Sequence, residues 1–211
     1  MMAGSVTWLP DAPDTVTELE TFGSVSPIRK VTEQVAFEGS WDVARRDKVR
    51  ELFDGMAAEW SSRFSDERET TIIDALDRGG LRGPKVVELG AGSGLGTNEI
   101  ASRTANLVAL DLSMKMLREQ SGGTPLVQGD ASTLPIPDAA VDTLVLINMF
   151  LFPVEVDRVL HSAGRLLWIN TNGHETPIYL SPEDVVAALP GAWTATAGRA
   201  GTGIWAAVDR V

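Results

Sequence analysis

Lys85-Val86-Val87-Glu88-Leu89-Gly90-Ala91-Gly92-Ser93-Gly94-Leu95-Gly96 is the stretch that decides the fold of this chain. A short, apolar, β-branched run opens it, as a buried parallel strand requires. A glycine-dense turn follows and leads into Thr97-Asn98-Glu99-Ile100-Ala101, the start of a helix. Without Cβ atoms, such a turn presents unhindered backbone and helix-terminal N–H groups to a ligand. Gly90, Gly92 and Gly94 give G-x-G-x-G; Leu95 stands where the dinucleotide spacing G-x-G-x-x-G needs its third glycine, and Gly96 does not repair it. The acidic Glu88 just before the turn suits a ligand carrying positive charge better than a pyrophosphate.

Downstream, strands and helices alternate. Strands are expected at Leu107–Leu110, Leu126–Gln128, Thr143–Ile147 and Leu166–Ile169, and helices at Leu95–Arg103, Met114–Gln120 (capped by Ser113) and Val154–Ala163. This alternation means a parallel sheet with helices on both faces. Ser181-Pro182-Glu183-Asp184 is a helix start running to Leu189, and Trp193–Ala197 with Ile204–Val208 reads as a closing antiparallel hairpin. Upstream, residues 1 to about 38 read as an irregular arm. Ser40 is placed to cap a strongly amphipathic helix carrying Leu52, Phe53, Met56, Ala57, Trp60 and Phe64, and a second helix spans Asp66–Asp77 up to Gly79-Gly80. We divide the chain into an arm and helical cap, 1–80, and a ligand-binding domain, 81–211.

The 211 residues suffice for one sizeable core. With no cysteine and only His161 and His174, disulfides, thiolate metal sites and Cys nucleophiles are excluded and a multi-histidine metal site is disfavoured. A formal charge of −11 disfavours nucleic acid and anionic membranes as partners. The N-terminus lacks the pattern of a signal peptide and no apolar run reaches membrane-spanning length, so a cytoplasmic protein is expected.

Two further acidic positions stand at strand ends. Asp111 lies 21 residues after Gly90, placed to accept hydroxyl hydrogen bonds from a ribose or to cap the next helix. Asp130, in Gly129-Asp130-Ala131, could accept from an exocyclic amine or simply form a turn. Together with Leu110-Asp111-Leu112-Ser113, Leu134-Pro135-Ile136-Pro137, Val141-Asp142 and Glu155-Val156-Asp157-Arg158-Val159-Leu160, these motifs make residues 85–211 resemble a class I S-adenosylmethionine-dependent methyltransferase. The resemblance implies a Rossmann-like, doubly wound, seven-stranded α/β sheet of order 3-2-1-4-5-7-6. It implies S-adenosyl-L-methionine as cofactor and S-adenosyl-L-homocysteine as product. Glu88, Gly90, Ala91, Gly92 and Gly94 would hold the methionine part, Asp111 and Leu112 the ribose, and Asp130 and Ala131 the adenine. Asn148 would face the methionine or the acceptor. Leu52 to Trp60 is similar to the first helix of small-molecule methyltransferases of the quinone type.

This chain departs from the family in two places. Ser162-Ala163-Gly164 replaces the usual Pro-Gly-Gly, and only Met149–Val154 separate Asn148 from Glu155, which leaves that side of the acceptor pocket either open or closed by the N-terminal arm or by another subunit, such as the second copy of a homodimer. Trp60, Phe64, Met149, Phe150 and Phe152 are candidates for an apolar acceptor wall, with packing against the sheet the alternative for the helix members Trp60 and Phe64. His174, in the loop after the fifth strand, is the candidate general base, while His161, late in a helix, is structural. No metal is expected, because the fourth- and fifth-strand ends carry Asn148, Asn170 and Asn172 rather than carboxylates. Arg45, Arg46, Lys48 and Arg50 form a basic run that would meet an acidic substrate or a solvated face. The expectation is a metal-independent methyltransferase acting on a small, partly apolar molecule. Open alternatives are a non-catalytic cofactor-binding regulator or partner subunit, a nicotinamide-dependent oxidoreductase and an aminopropyl transferase.

Overall fold

The structure, a computed structural model, describes residues 4–16, 26–60 and 65–211. Its centre is an eight-stranded sheet. The strands are β1 (Val6–Trp8), β2 (Val86–Leu89), β3 (Leu107–Asp111), β4 (Leu126–Gln128), β5 (Val141–Ile147), β6 (Leu160–Asn170), β7 (Trp193–Ala200) and β8 (Gly203–Arg210). Their order is β1-β7-β8-β6-β5-β2-β3-β4. From β4 to β6 all neighbours are parallel; β8 then pairs antiparallel with β6, and β7 antiparallel with β8. This is the expected 3-2-1-4-5-7-6 order with one strand added. The addition is β1, parallel to β7 with Val6 opposite Ala195, so part of the arm expected to be irregular is an edge strand.

Side-chain alternation divides the sheet into two dry faces. Leu144, Leu146, Leu166, Trp168, Ala206 and Val208 pack on one side, beneath α6 (Pro153–Val159), α7 (Pro182–Ala188) and α1 (Pro27–Glu38). Val145, Ile147, Leu167, Ile169, Trp205 and Ala207 face the other way, against α3 (Asp66–Asp74) and α4 (Thr97–Ala101). Trp205 fills a slot between Gly79 and Gly198, where an added Cβ would come within 3.1 and 2.6 Å of its ring, and its Nε1 donates to Asp74 Oδ2 at 2.6 Å.

Several boundaries differ from expectation for local reasons. Helix α1 occupies much of the supposed arm, and Ser26-Pro27 and Gly39 (φ 62°) bracket it with the same Pro-first, Gly-last chemistry as other helices. Asp42, not Ser40, caps α2 (Val43–Trp60), its Oδ1 accepting the Arg45 N–H at 2.8 Å. That helix is less amphipathic than its spacing suggests: Ala57 alone is fully buried, and Leu52 is 48% exposed. Phe64 lies outside the described residues. Helix α3 passes into one wide turn, Ala75–Gly79, before Gly80. Helix α6 ends at Val159 and the chain enters β6 directly, so His161 and the Ser162-Ala163-Gly164 segment are strand rather than helix and turn. His161 Nδ1 accepts the Ala163 N–H at 3.2 Å. The basic run is dispersed: Arg45 binds the α1–α2 connector, and Arg46 and Arg50 pair with Asp47. Among the described residues no helix is long and apolar enough to cross a membrane.

Candidate functional site

At the carboxyl ends of β2, β3, β4 and β5 a cleft opens, lined by apolar side chains and a few polar groups, as small-molecule sites are. Glu88, Asp111 and Asp130, from three neighbouring strands, all line it, as do Gly90, Ala91, Gly92, Leu112, Ala131 and Asn148.

The turn after β2 is built on left-handed glycines: φ is 72° at Gly90, 55° at Gly92 and 94° at Gly94. Four N–H groups of this turn, those of Gly90, Ala91, Gly92 and Gly94, are already engaged, contrary to expectation. Gly90 and Ala91 donate to the Leu110 carbonyl at 2.8 and 3.1 Å, Gly94 donates to the Ala91 carbonyl at 3.0 Å, and Gly92 donates to Asp111 Oδ2 at 2.8 Å. What the turn offers is space. A Cβ at Gly92 would meet nothing closer than Trp60 Nε1, at 3.8 Å. A pyrophosphate needs those donors, whereas a ligand laid along the turn needs only the room. Gly96 serves packing instead, since a Cβ there would overlap Ile147; its absence lets α4 sit close on β5.

Glu88 is 1% exposed and accepts from Thr97 Oγ1 at 2.6 Å. Burial pushes its carboxyl up to about 8, the Thr97 hydrogen bond opposing and the Asp111 charge adding to the rise. Asp111 is also held above the usual carboxylate range by burial, although the Ser113 and Gly92 N–H groups pull the other way. Its Oδ1 takes the Ser113 N–H at 2.7 Å, and the Leu112 N–H also stabilises the carboxylate. Asp130 accepts the Ser132 N–H at 2.9 Å and, with both oxygens, the Trp41 Nε1–H at 3.2 Å.

Asn148 is in the left-handed region (φ 51°), which Asn tolerates better than most residues. Its amide is committed to the end of β6, donating to Thr171 Oγ1 and accepting from the Thr171 N–H, both at 2.9 Å. The apolar wall contains Trp60, Met149, Phe150 and Phe152, all on the cleft lining. Their neighbours there include Val49 and Phe53 of α2, Trp41 and Ile178, so the N-terminal segment of the same chain closes the side left short after Asn148. Ser113, which caps α5 (Met114–Arg118), also donates to Asp54 and so ties α2 down. Gly94 supports the turn from outside the lining, against Gln120. His174 is not brought to the cleft; its side chain is 60% exposed, with Nε2 3.3 Å from Glu175 Oε1. Among the described residues no cluster of three or more His, Cys, Asp or Glu could hold a metal.

Trp41 is, with Val49 and Ile178, a lining residue that sequence reasoning missed. Its signal was a single large aromatic in the polar break between Gly39-Ser40 and Asp42, too short a context for any periodicity.

The family described as a methyltransferase domain matches residues 87–170. Demethylmenaquinone methyltransferase of Mycolicibacterium gilvum is 32% identical over 170 residues, covering 70% of this chain and 72% of that protein. Malonyl-[acyl-carrier protein] O-methyltransferase of Xylella fastidiosa is 33% identical over 107 residues, 46% of this chain and 36% of that protein, so this chain spans only about a third of that relative. An S-adenosylmethionine-dependent methyltransferase structure from Thermotoga maritima, described as a possible histamine N-methyltransferase, superposes with a TM-score of 0.61. It covers 76% of this chain and 99% of its own at 14% identity, a likeness of fold alone. A glycine turn whose Gly90, Gly92 and Gly94 donors are spent internally, acidic strand ends around it, and a relative sharing a third of its residues over most of both lengths lead to one assignment: the chain belongs to the class I S-adenosylmethionine-dependent methyltransferases.

Proposed function

We propose that the cleft binds S-adenosyl-L-methionine and that this chain directs its methyl group to a small, partly apolar acceptor. The observation that carries this reading is the convergence of Glu88, Asp111 and Asp130 on one cleft floored by a turn with an open Cβ position at Gly92. Glu88 and the segment Gly90, Ala91, Gly92 and Gly94 would hold the methionine part. Asp111 and Leu112 would hold the ribose, and Asp130 and Ala131 the adenine. Asn148 contributes through its backbone, since its side chain is tied to Thr171. When bound, the cofactor supplies an electrophilic methyl group on a sulfonium.

The chain's own part is placement. Trp60, Met149, Phe150 and Phe152 form a wall that excludes water and orients the acceptor, and such alignment accounts for much of the rate of an in-line displacement. The acidic residues on the lining, Glu88, Asp111 and Asp130, already accept hydrogen bonds from the chain, which favours alignment over a dedicated base. The apolar wall supports an acceptor resembling the quinone or acyl-chain compounds in the relatives' names. Net charge −11 favours a small molecule over a nucleic acid.

Titration calorimetry with S-adenosylhomocysteine tests the cofactor site. Gly92→Val fills the open position and should abolish binding, at a backbone strain of about 1–2 kcal/mol for a side chain at positive φ. Unchanged affinity in that variant would overturn the assignment. Turnover is tested by incubating the protein with S-adenosylmethionine and an extract of its host and measuring S-adenosylhomocysteine released.

A further inference from the structure

Trp41 touches both halves of the proposed site. Its indole N–H reaches both oxygens of Asp130 at 3.2 Å, on the side assigned to the base. Its ring packs tilted on Phe150, with centroids 5.6 Å apart, and edge-on to Phe152 at 5.2 Å, on the side assigned to the acceptor. Trp41 itself lines the cleft between them.

The segment carrying Trp41 is fixed at each of its neighbours. Gly39 ends α1 in the left-handed conformation, and Ser40 N–H donates to the Gln34 carbonyl at 3.1 Å. The Arg45 guanidinium donates to the Ser40 carbonyl at 2.6 Å, to Ser40 Oγ at 2.8 Å and to Gln34 Oε1 at 3.0 Å. Asp42 is held as the cap of α2. An indole carried on so constrained a link is a fixture of the site rather than a flap.

A carboxylate that accepts a forked hydrogen bond from one side and the Ser132 N–H from another has its rotation settled. Its remaining lone pair, on Oδ2, points in a defined direction, ready for a donor and repelling an acceptor. We propose that Trp41 is a positioning residue for base selection: it orients Asp130 so that the site takes a purine with an exocyclic amine and rejects one with a carbonyl at that position. The proposal rests on the cofactor reading above and assigns to this chain's N-terminal segment a part in cofactor choice as well as in covering the acceptor.

The experiment compares calorimetric affinities for S-adenosylhomocysteine and S-inosylhomocysteine, which differ in an amine against a carbonyl. The wild-type protein should favour the adenosyl compound by at least about tenfold, because the hypoxanthine oxygen would face a carboxylate. Trp41→Phe keeps a ring on Phe150 and Phe152 but removes the N–H; it should narrow that preference by about threefold or more while the melting temperature stays close to wild type. In an Asp130→Ala background the same substitution should change the preference no further, since the acceptor of the indole N–H is gone. An unchanged preference in Trp41→Phe overturns the proposal. Tighter adenosyl binding in that variant also overturns it, because the indole would then be competing for Asp130 rather than orienting it. Failure of the wild-type protein to bind either compound would instead refute the cofactor reading, and this proposal with it.

Discussion

Replacing Glu88 by Gln should make this protein more stable, and increasingly so as the pH rises. Glu88 sits in the middle of the sheet, 1% exposed, with Thr97 Oγ1 donating to it and Gly96 packed against its other oxygen. Burial lifts its carboxyl from 4.5 to about 8. Between those values the folded chain holds a proton that the unfolded chain has released, so stability falls as pH rises across this window and levels off above it. At about 1.4 kcal/mol per pH unit, the whole window is worth on the order of 4–5 kcal/mol. Glutamine keeps the shape and an acceptor for Thr97 but has nothing to ionise. Asp111, also raised, contributes a slope of the same sign to both proteins, smaller in Glu88→Gln because the Glu88 charge no longer opposes its ionisation. Urea unfolding of wild type and Glu88→Gln at about pH 5 and about pH 8 should give curves that nearly coincide at the acid end and separate by several kcal/mol at the other. Parallel profiles would refute the argument that Glu88 is a buried, costly carboxyl. The same variant should bind S-adenosylhomocysteine more weakly, because a cationic amino group beside Glu88 is what would restore its charge. A fold that retains such a group against its own stability fits a binding role.

Three other outcomes follow from the geometry. Asp111→Ala removes both the proposed ribose acceptor and the anchor of the Gly92 N–H, and should weaken S-adenosylhomocysteine binding by about 1–3 kcal/mol in calorimetry; an unaltered dissociation constant would remove Asp111 from the proposed site. Gly198→Ala drives a methyl group into the Trp205 ring, which Gly79 backs on another side, and should lower unfolding free energy by about 1–3 kcal/mol, read by chemical denaturation. Arg158 holds Glu155 below the usual carboxylate range while binding the Leu134 and Ile136 carbonyls. Glu155 therefore adds stability that is present above its unfolded value and lost as pH falls through the lower folded one. In Arg158→Met its NMR titration should move up and amide exchange at Leu134 should quicken.

The central strands were legible because their chemistry is local and redundant. Val86–Leu89 and Leu126–Gln128 are bounded by turn residues on both sides, and the glycine turn can serve few purposes, so the strands and their acidic ends could be read from residues, while the strand order came with the family resemblance. Local reading failed where a segment has two conformations open to it and a distant partner chooses. Leu160 to Gly164 continues a helical pattern, but pairing with Val141 and Thr143 of β5 draws it into β6. Val6–Trp8 is too short to be a strand alone and becomes one on the free edge of β7, where Trp8 also meets Arg199 and Glu183. Helix α1 escaped for another reason: its Ser26-Pro27 and Gly39 signals are present, but the prolines and hydroxyl residues around them outweigh them in a purely local reading.

By itself the sequence determined the kind of site: an acid, a Cβ-free bend and two further acids can be read from residue types, because hydrogen-bonding capacity and steric bulk belong to each residue wherever it lies. Only the tertiary structure decided how each group is spent. It turned the glycine N–H groups inward, committed Asn148 to Thr171, left His174 outside the cleft and set Trp41 against Asp130. Those outcomes depend on which donor meets which acceptor across tens of residues, and on how deeply each charge is buried, neither of which is encoded in the neighbourhood of any one residue.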